Sequence, residues 1–527
     1  MIWDIKERKS ADLTEQLLFN RGLTSKKEIE AFFSPSLDQF EKDLKIPGID
    51  KAWKRIQKAI NEQELIIVYG DYDVDGVCAS AILYKALTSL GAKVLPYIPH
   101  REREGYGLSI GGLEHARDSG AGLIITVDNG IVALEQAKFA KEIGLDLIIT
   151  DHHLPLDELP ESLSIVHSIA ICGTAVAWCL IRDKVSKTLA QELLELVAIA
   201  TIADMMPLLG VNRSFVYEGL KVLNKTKNLG LQELIFQSKL ELGAIGSYEI
   251  GHMIAPRVNA IGRLEHAIDA LRLVCTKDPV KAKRLAKLLC DTNLRRQEIT
   301  AKAVEEARLM VKKESKIHIL WSEEWNPGVI GLISGRITEE FYAPSLVMAV
   351  FEGKVKGSAR SIDGINIVEV LRQTSDLLID IGGHSGAAGF SLMPENIESF
   401  KARVETTIES IEMPGEKVLP IEAEVQSQML SKSLVKKLDQ FAPFGFKNPN
   451  IVLATRNMHI SDVRTLSDGK HLKFRADGID AIAFGMGEMV KKLVNISQAD
   501  VAYTLEINKF NGKENLQLKV KDIRTTG

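Results

Sequence analysis

Residues 65–76 read LIIVYGDYDVDG, an apolar run that ends in three aspartates. The same arrangement returns twice, because residues 123–130 read LIITVDNG and residues 147–153 read LIITDHH. Short continuous apolar runs rich in Ile and Val are typical of strands buried on both faces of a parallel sheet. In an open α/β sheet, ligands collect at the carboxyl ends of the strands. We therefore expect the three polar clusters to converge at one edge of a parallel sheet.

The surrounding sequence supports this sheet. Two further apolar runs, KVLPYI and LSIVHS, provide candidate strands, and the stretches VCASAILYKALTSLG and LEQAKFAKEIG have the composition of helices. Strands that alternate with helices of this length are typical of an α/β fold. The sequence thus predicts an α/β domain, closed by helices between residues 180 and 225.

Beyond this domain the pattern changes twice. A charged, Ala-rich stretch that begins at DPVKAKRLAK predicts a long amphipathic connecting helix, and IHILW, PSLVMAV and KVKGSAR predict strands of a second α/β domain. About five strands then alternate with short polar turns, which is typical of an OB-like barrel that binds single strands. The predicted division is 1–50 (N-terminal appendage), 51–225 (catalytic domain), 226–310 (helical connector), 311–415 (second α/β domain) and 416–527 (OB-like barrel).

Composition narrows the class of protein. At 527 residues the chain is long enough for several domains, and 45% hydrophobic with 26% charged residues is ordinary for a globular protein. A net charge of -4 confines any nucleic-acid surface to a local groove. Five cysteines without a CxxC pair suggest neither a disulfide framework nor a zinc knuckle. The amino terminus lacks a signal-peptide layout and no apolar run approaches a membrane span, so we expect a reduced, cytoplasmic protein.

The polar clusters predict a metal site. Carboxylates gathered at one sheet edge repel one another unless cations neutralise them. A fourth acid, Asp204, follows the apolar stretch LVAIATIA, where an uncompensated carboxylate is unfavourable. Mixed carboxylate and imidazole ligands without a thiolate favour manganese or magnesium over structural zinc. Two such ions, about 3.5–4 Å apart, can activate a water and stabilise the leaving oxygen of a phosphoester.

Arginine and glycine motifs farther along the chain are candidate phosphate contacts. Arg101, Arg263, Arg336 and Arg360 have Gly or Ser neighbours that allow close approach of a ligand, and Arg favours bidentate contacts with phosphate. Residues 382–389, GGHSGAAG, resemble a phosphate-binding turn that enters a helix. Tyr106, between two glycines, could stack on a base or pack in the core.

Taken in order, these motifs resemble those of the DHH phosphoesterases, and among them the single-strand-specific exonucleases. The resemblance rests on motifs spread from about residue 65 to residue 390: DYDVDG, VDNG, DHH, ADMMPL, NAIGR, WNPGVIG, GSARS and GGHSGAAG. It implies a parallel-sheet DHH domain, a DHH-associated second domain and an OB-like tail. It also implies hydrolysis of single-stranded DNA from the 5′ end to mononucleotides in recombination and repair. A single-strand-binding protein and a helicase are the implied protein partners, and no membrane is involved.

The resemblance assigns a role to individual residues. Implied ligands of two manganese or magnesium ions are Asp71, Asp73, Asp75, Asp128, His152 and Asp204, with Asp128 bridging the ions. Implied catalytic residues are Asp151 and His153. Implied substrate-binding residues are Arg101, Tyr106, Arg263, Arg336, Ser358, Arg360 and His384, with Arg336, Ser358 and Arg360 at the terminal phosphate.

Three positions depart from the family pattern. Tyr69 stands where the wider superfamily has a His ligand, and Asp71 is expected to replace that ligand. Asn326 and Lys447 stand where His and Gly are usual.

Two alternatives remain, one within the DHH family and one from another class of protein. One is a DHH phosphodiesterase for short oligonucleotides or cyclic dinucleotides, or a pyrophosphatase; such enzymes lack an OB-like tail. The other is a non-catalytic replication scaffold, which would have lost several of the ligands present here.

Overall fold

The structure of the protein is a computed structural model that describes residues 1–101, 104–105, 107–510 and 512–525. Its strands are β1 Ile2–Ile5, β2 Leu65–Tyr69, β3 Lys93–Tyr97, β4 Ala121–Val127, β5 Asp146–Asp151, β6 Ser164–His167, β7 His318–Ser322, β8 Ser345–Phe351, β9 Lys354–Arg360, β10 Leu378–His384, β11 Ala387–Leu392, β12 Val418–Ile421, β13 Ala423–Glu424, β14 Leu453–Leu466, β15 His471–Ala476, β16 Ile479–Ala483, β17 Gln498–Phe510 and β18 Lys513–Thr525.

Helices cover most of the remaining chain. They are α1 Leu13–Asn20, α2 Lys26–Phe33, α3 Ile49–Asn61, α4 Val74–Ser89, α5 Ile110–Asp118, α6 Leu134–Glu142, α7 Gly173–Ile181, α8 Lys187–Glu192, α9 Leu194–Ala203, α10 Gly210–Leu223, α11 Leu229–Gln237, α12 Ser247–Glu249, α13 Ala255–Leu264, α14 Ile268–Cys275, α15 Pro279–Met310, α16 Ile330–Phe341, α17 Ile367–Arg372, α18 Ile397–Glu409, α19 Lys432–Asp439 and α20 Val490–Leu493. Among the described residues, no helix is both long enough and apolar enough to span a membrane.

The first sheet is parallel, with the strand order β3-β2-β4-β5-β6. Its apolar runs are continuous because both faces are covered: Ile66 and Val68 of β2 pack in the core formed by α4, α7 and α9, whereas Ile67 and Tyr69 pack in the core beneath α5 and α6. The strand order reverses its direction between β2 and β4, which opens a crevice at their carboxyl ends. The predicted parallel sheet is confirmed, and the polar clusters follow β2, β4 and β5.

The connector is helical from α11 to α15, and α15 is a single helix of 32 residues. The Asp278 side chain caps its N-terminus by accepting from the backbone N–H groups of Val280 and Lys281, with Pro279 in the first turn. At 1.5 Å per residue it is about 48 Å long. Its first half packs on α11 and α13, and its Ala303, Val304 and Ala307 pack against the second domain.

The second domain contains a mixed sheet in the order β10-β11-β9-β8-β7, in which only β7 and β8 are parallel. Helix α16 covers one face over β8 and β9. Helices α17 and α18 cover the other face, where Phe390 and Phe400 pack together. The face beside α16 is left open over β10 and β11.

The C-terminal tail is a closed barrel, because β14 pairs with both β15 and β17 while β16 pairs with β18. This confirms the predicted OB-like fold. The first residues of the chain, predicted as an appendage, belong structurally to this region: β1 pairs in parallel with β12, and Leu17, Leu18 and Phe32 pack in the barrel core. Arg213 of α10 connects the first domain to the barrel region. Its buried guanidinium donates hydrogen bonds to the backbone carbonyls of Phe32, Ala442 and Pro443.

Candidate active site

Seven acidic and histidine side chains meet at the carboxyl edge of the first sheet. They form three overlapping groups in which the ligand atoms of each group lie within 4.8 Å of one another: Asp71, Asp73 and Asp128; Asp75, His152 and Asp204; and Asp128, His152 and His153. All six predicted metal ligands are thus brought together. Asp128 and His152 each belong to two groups, which places them at the centre of the cluster.

Backbone N–H groups at the N-termini of two helices hold the carboxylates of the DYDVDG motif. The Asp73 carboxylate caps α4 by accepting from the backbone N–H groups of Asp75 (2.9 Å) and Gly76 (3.1 Å). Asp75 is buried, and its two carboxylate oxygens accept from the backbone N–H groups of Gly173 and Thr174, both at 2.7 Å. Those groups open α7, where the helix dipole stabilises a negative charge. The spacing DxDxDG therefore presents its carboxylates from a rigid turn.

Asp128 is held in an uncommon backbone conformation. Its φ is 63°, in the left-handed region that Asp and Asn tolerate better than most other side chains. Gly173 at the start of α7 allows the backbone to approach Asp128 closely, because a Cβ added at Gly173 would lie only 2.7 Å from the Asp128 Cβ. The side chain of Asp128 is buried, and its Oδ1 lies 3.1 Å from His152 Nε2.

The two histidines have different surroundings. His152 Nε2 points into the cluster, 3.6 Å from Asp75 Oδ2 and 3.7 Å from Asp204 Oδ2. His153 is oriented by Asp151, whose Oδ1 lies 2.8 Å from His153 Nδ1. Asp151 also accepts from the backbone N–H groups of Ile131, His152 and His153, so its lone pairs are occupied by the protein. Its contacts make it a positioning residue for His153.

The electrostatics of the cluster match a cation site. Burial, and then the charges of neighbouring aspartates, raise the pKa values of Asp71, Asp73 and Asp128, and the same causes raise that of Asp204 to about 8. Burial lowers the pKa of His152, which favours the neutral imidazole that metals bind. Asp71 Oδ1 and His152 Nε2 are buried with no hydrogen-bond partner among the described residues. Oxygen and imidazole donors so arranged fit manganese or magnesium.

A second cluster, of arginines, lies beside the first. Arg101 stacks over the Tyr72 ring at 4.9 Å, and its charge acts on Asp71. Arg263 is next: burial, followed by the charges of Arg101 and other arginines including Arg360, lowers its pKa to about 10. The segments that carry Tyr72 and Arg263 are packed closely together, because a Cβ added at Gly262 would lie 2.4 Å from the Tyr72 carbonyl oxygen. A line of cationic side chains therefore leads from the metal edge into the second domain.

Arg360, together with Ser358, extends this cluster of arginines into a pocket on the open face of the second domain's sheet. Ser358 and Arg360 of β9 pair with Gly389 and Ala387 of β11. They lie next to α16, since a Cβ at Gly331 would be 3.1 Å from Ser358 Oγ and 3.6 Å from an Arg360 Nη2. Arg336 is exposed on the same helix, and its charge acts on Arg296.

The prediction for the GGHSGAAG motif was wrong in structure. It forms the β10–β11 hairpin, with His384 paired to Ala387, and does not enter a helix. The glycines leave empty space above the sheet, because a Cβ at Gly382 or Gly389 would meet no atom within 4 Å. Both glycines share the row of Ser358 across the three strands, so the sheet is bare beside that hydroxyl. His384 shares the neighbouring row with Arg360, on the same face.

Arg296 was not predicted. It lies on α15, and its Nε and Nη2 atoms donate to the Asn293 Oδ1 at 3.2 and 2.8 Å. Burial, then the charges of Arg336 and Arg257, lowers its pKa. Within the described chain, no carboxylate compensates Arg263, Arg296 or Arg360, whereas the adjacent Arg295 pairs with Glu265. Its position in a charged amphipathic helix resembles that of any surface arginine, so the sequence carries no local signal for it.

The remaining positions have simple accounts. Tyr106 lies outside the described residues. Asn326 Oδ1 accepts from the Gly328 backbone N–H at 2.7 Å and shapes the loop before α16. Lys447 has a φ of 62°, in the region that favours glycine. Tyr69, the last residue of β2, is buried beneath α5, and its hydroxyl lies 3.2 Å from Ser109 Oγ.

Comparisons with known proteins agree with this architecture. Residues 65–201 match the model of the DHH family N-terminal domain, residues 314–410 the DHHA1 domain, and residues 421–522 the RecJ OB domain. The fold and the site together define a metal-dependent phosphoesterase of the DHH class.

Individual relatives narrow this class. The chain is 34% identical to the single-stranded-DNA-specific exonuclease RecJ of Bacillus subtilis, over 99% of this chain and 70% of that protein. It is 33% identical to the protein of the same name from Thermus thermophilus, over 91% and 72%. A crystal structure of Thermus thermophilus RecJ in complex with Mn²⁺ superposes with a TM-score of 0.87 at 29% identity, covering 100% of this chain and 80% of that one. A complex with Mg²⁺ gives 0.80 at 28% identity, covering 100% and 79%. The chain belongs to the RecJ family of exonucleases.

Proposed function

We propose that this protein hydrolyses single-stranded DNA from the 5′ end, releasing mononucleotides, with two manganese or magnesium ions in its active site. The observation that carries the proposal is that a cluster of carboxylates lies directly beside a cluster of arginines. A cluster of carboxylates binds the cations, and a cluster of arginines binds the phosphates of the strand. The names of the family members supply the substrate, single-stranded DNA, and we include a role in DNA recombination and repair in the proposal.

The geometry supports a proposed role for each of these residues. Asp71, Asp73 and Asp128 would hold one ion, and Asp75, His152 and Asp204, with Asp128 shared, would hold the other. When bound, the ions supply an activated water and charge stabilisation for the leaving oxygen. His153, oriented through Nδ1 by Asp151, would contact the scissile phosphate through Nε2.

The arginine pocket would fix the direction of cleavage. A terminal phosphate carries more charge than an internal diester, so a pocket of arginines and a serine hydroxyl distinguishes the two. Arg336, Ser358 and Arg360 would bind the 5′-terminal phosphate, with Arg101, Arg263 and His384 at the adjacent strand and Tyr106 as a stacking residue. Single-stranded DNA arises from duplex DNA by strand separation. We therefore include a helicase and a single-strand-binding protein among the partners of the protein, and we place its activity in the cytoplasm.

The test is digestion of end-labelled DNA in the presence of Mn²⁺. We expect mononucleotides from the 5′ end of single strands, little product from blunt duplex, and none from a cyclic dinucleotide. First release of nucleotides from the 3′ end would overturn the polarity, and preferred hydrolysis of the cyclic dinucleotide would overturn the substrate.

A further inference from the structure

A large cleft separates the connector from the barrel. Its volume is about 2070 Å³, and it begins beside the metal edge, where Ala203 and Met205 flank Asp204. From there it continues past Tyr248 and His252 on the connector to Lys519 on β18 of the barrel. A strand held at the metal edge therefore has a continuous route towards the barrel.

Midway along this route the connector presents a flat aromatic surface. The rings of Tyr248 and His252 are stacked, with their centroids 4.4 Å apart and their planes 18° apart. They sit at the junction of α12 with one turn of π-helix, Ile250–Ile254, a local irregularity frequent at functional sites. Tyr248 is 56% exposed and lines the cleft.

The barrel contributes a cation to the same place. Lys519 Nζ lies 5.6 Å from the centroid of the Tyr248 ring and 5.9 Å from that of Phe484, which is itself 52% exposed. Lys519 thus spans the gap between the connector and the barrel. We call Tyr248, His252, Lys519 and Phe484 the aromatic platform.

We propose that the aromatic platform is a nucleobase-stacking subsite for the single strand that trails away from the metal edge. Every nucleobase offers a π face to a tyrosine ring and a neighbouring phosphate to an ammonium group, and such stacking is tolerant of base sequence. The proposal rests on the proposed function, and it assigns part of the strand affinity to the connector, outside the barrel.

The experiment measures binding of the full chain to a strand of about 16 nucleotides. All variants carry Asp128→Asn, so that the strand is not degraded. We expect Tyr248→Ala to weaken binding about tenfold, Tyr248→Phe to preserve it, and Lys519→Ala to reduce the salt dependence by about one phosphate contact. Phe236→Ala is the matched control, because Phe236 is 75% exposed on α11 and does not line the cleft.

A series of strands, each with one abasic residue, locates the subsite. With Tyr248 present, affinity should fall sharply when the abasic residue occupies one particular position, and Tyr248→Ala should remove that sensitivity. A purely structural role predicts instead equal losses for all strands together with a lower melting temperature, which would overturn the proposal. Unchanged affinity in Tyr248→Ala would also overturn it.

Hydrolysis by the chain with Asp128 intact separates the two claims. If no single strand is cut in Mn²⁺, the proposed function fails. If strands are cut but the abasic profile does not depend on Tyr248, only the platform fails.

Discussion

The metal edge of the first sheet and the arginine pocket beside it carry opposite charges and are built in opposite ways. The metal edge comes from strand ends and short loops of one domain, and its carboxylates are fixed by backbone N–H groups of α4 and α7. The arginines come from separate elements: Arg263 from α13, Arg336 from α16 and Arg360 from β9, with Arg296 of α15 nearby. In both, side chains of like charge lie close together, and all of them except Arg336 are partly or fully buried.

Their shared feature is that each cluster gathers several side chains of one charge in a small, partly buried volume. Buried side chains of like charge destabilise a fold, so such clusters favour ligands of the opposite sign. In the proposed function, cations bind the first cluster and phosphates bind the second. The comparison predicts that variants of the metal edge abolish chemistry, whereas variants of the pocket change which end of the strand is held.

The largest effect is expected for Asp128→Asn. Asparagine tolerates the φ of 63°, so the fold is kept while one shared ligand charge is lost. We expect turnover to fall more than about a hundredfold. Because one repelling carboxylate is removed, the melting temperature without metal should rise, and its increase on adding Mn²⁺ should shrink. Thermal melts with and without Mn²⁺ and a nuclease assay check this; normal turnover would remove Asp128 from the metal site.

Arg360→Ala tests the pocket. We expect rates on 5′-phosphorylated strands to drop about tenfold, with a smaller loss on 5′-hydroxyl strands, because a charge-assisted contact to the terminal phosphate is lost. Mn²⁺ affinity should be unchanged. Arg403→Ala, on the exposed outer helix α18 where Arg403 pairs with Asp376, is the matched control. An unchanged ratio of the two rates would exclude Arg360 from the end pocket.

Arg296→Ala tests whether the pocket extends to the connector helix. We expect a loss of affinity of about fivefold and a salt dependence reduced by about one phosphate contact. Arg295→Ala is the control, since Arg295 is adjacent but paired with Glu265. Equal salt dependence in both variants would place Arg296 outside the substrate path.

The two clusters also differ in how far the sequence alone could predict them. The metal edge was predictable because each group of ligands follows an apolar strand, and parallel strands bring their ends together. The contribution of Arg296 was not, because it depends on how α15 packs against two domains. The pairing of β1 with β12 joins the two ends of the chain, and no local pattern specifies it. For GGHSGAAG, the motif was recognisable but its backbone was not, since glycine-rich stretches suit both helix entrances and bare sheets.

The smallest effect is expected for Gly389→Ala, which distinguishes a bare sheet that binds substrate from a glycine needed for folding. An alanine Cβ there would meet no protein atom within 4 Å, so the melting temperature should not fall. The added methyl group would stand in the row of Ser358, in the space that the terminal phosphate is expected to occupy. We expect KM for 5′-phosphorylated strands to rise about threefold while kcat is preserved, the pattern of weakened binding in the ground state. Gly386→Ala, at the tip of the same hairpin and also without a neighbour within 4 Å, is the control. A similar change in KM in both variants would mean that Gly382 and Gly389 do not line the site of the terminal phosphate.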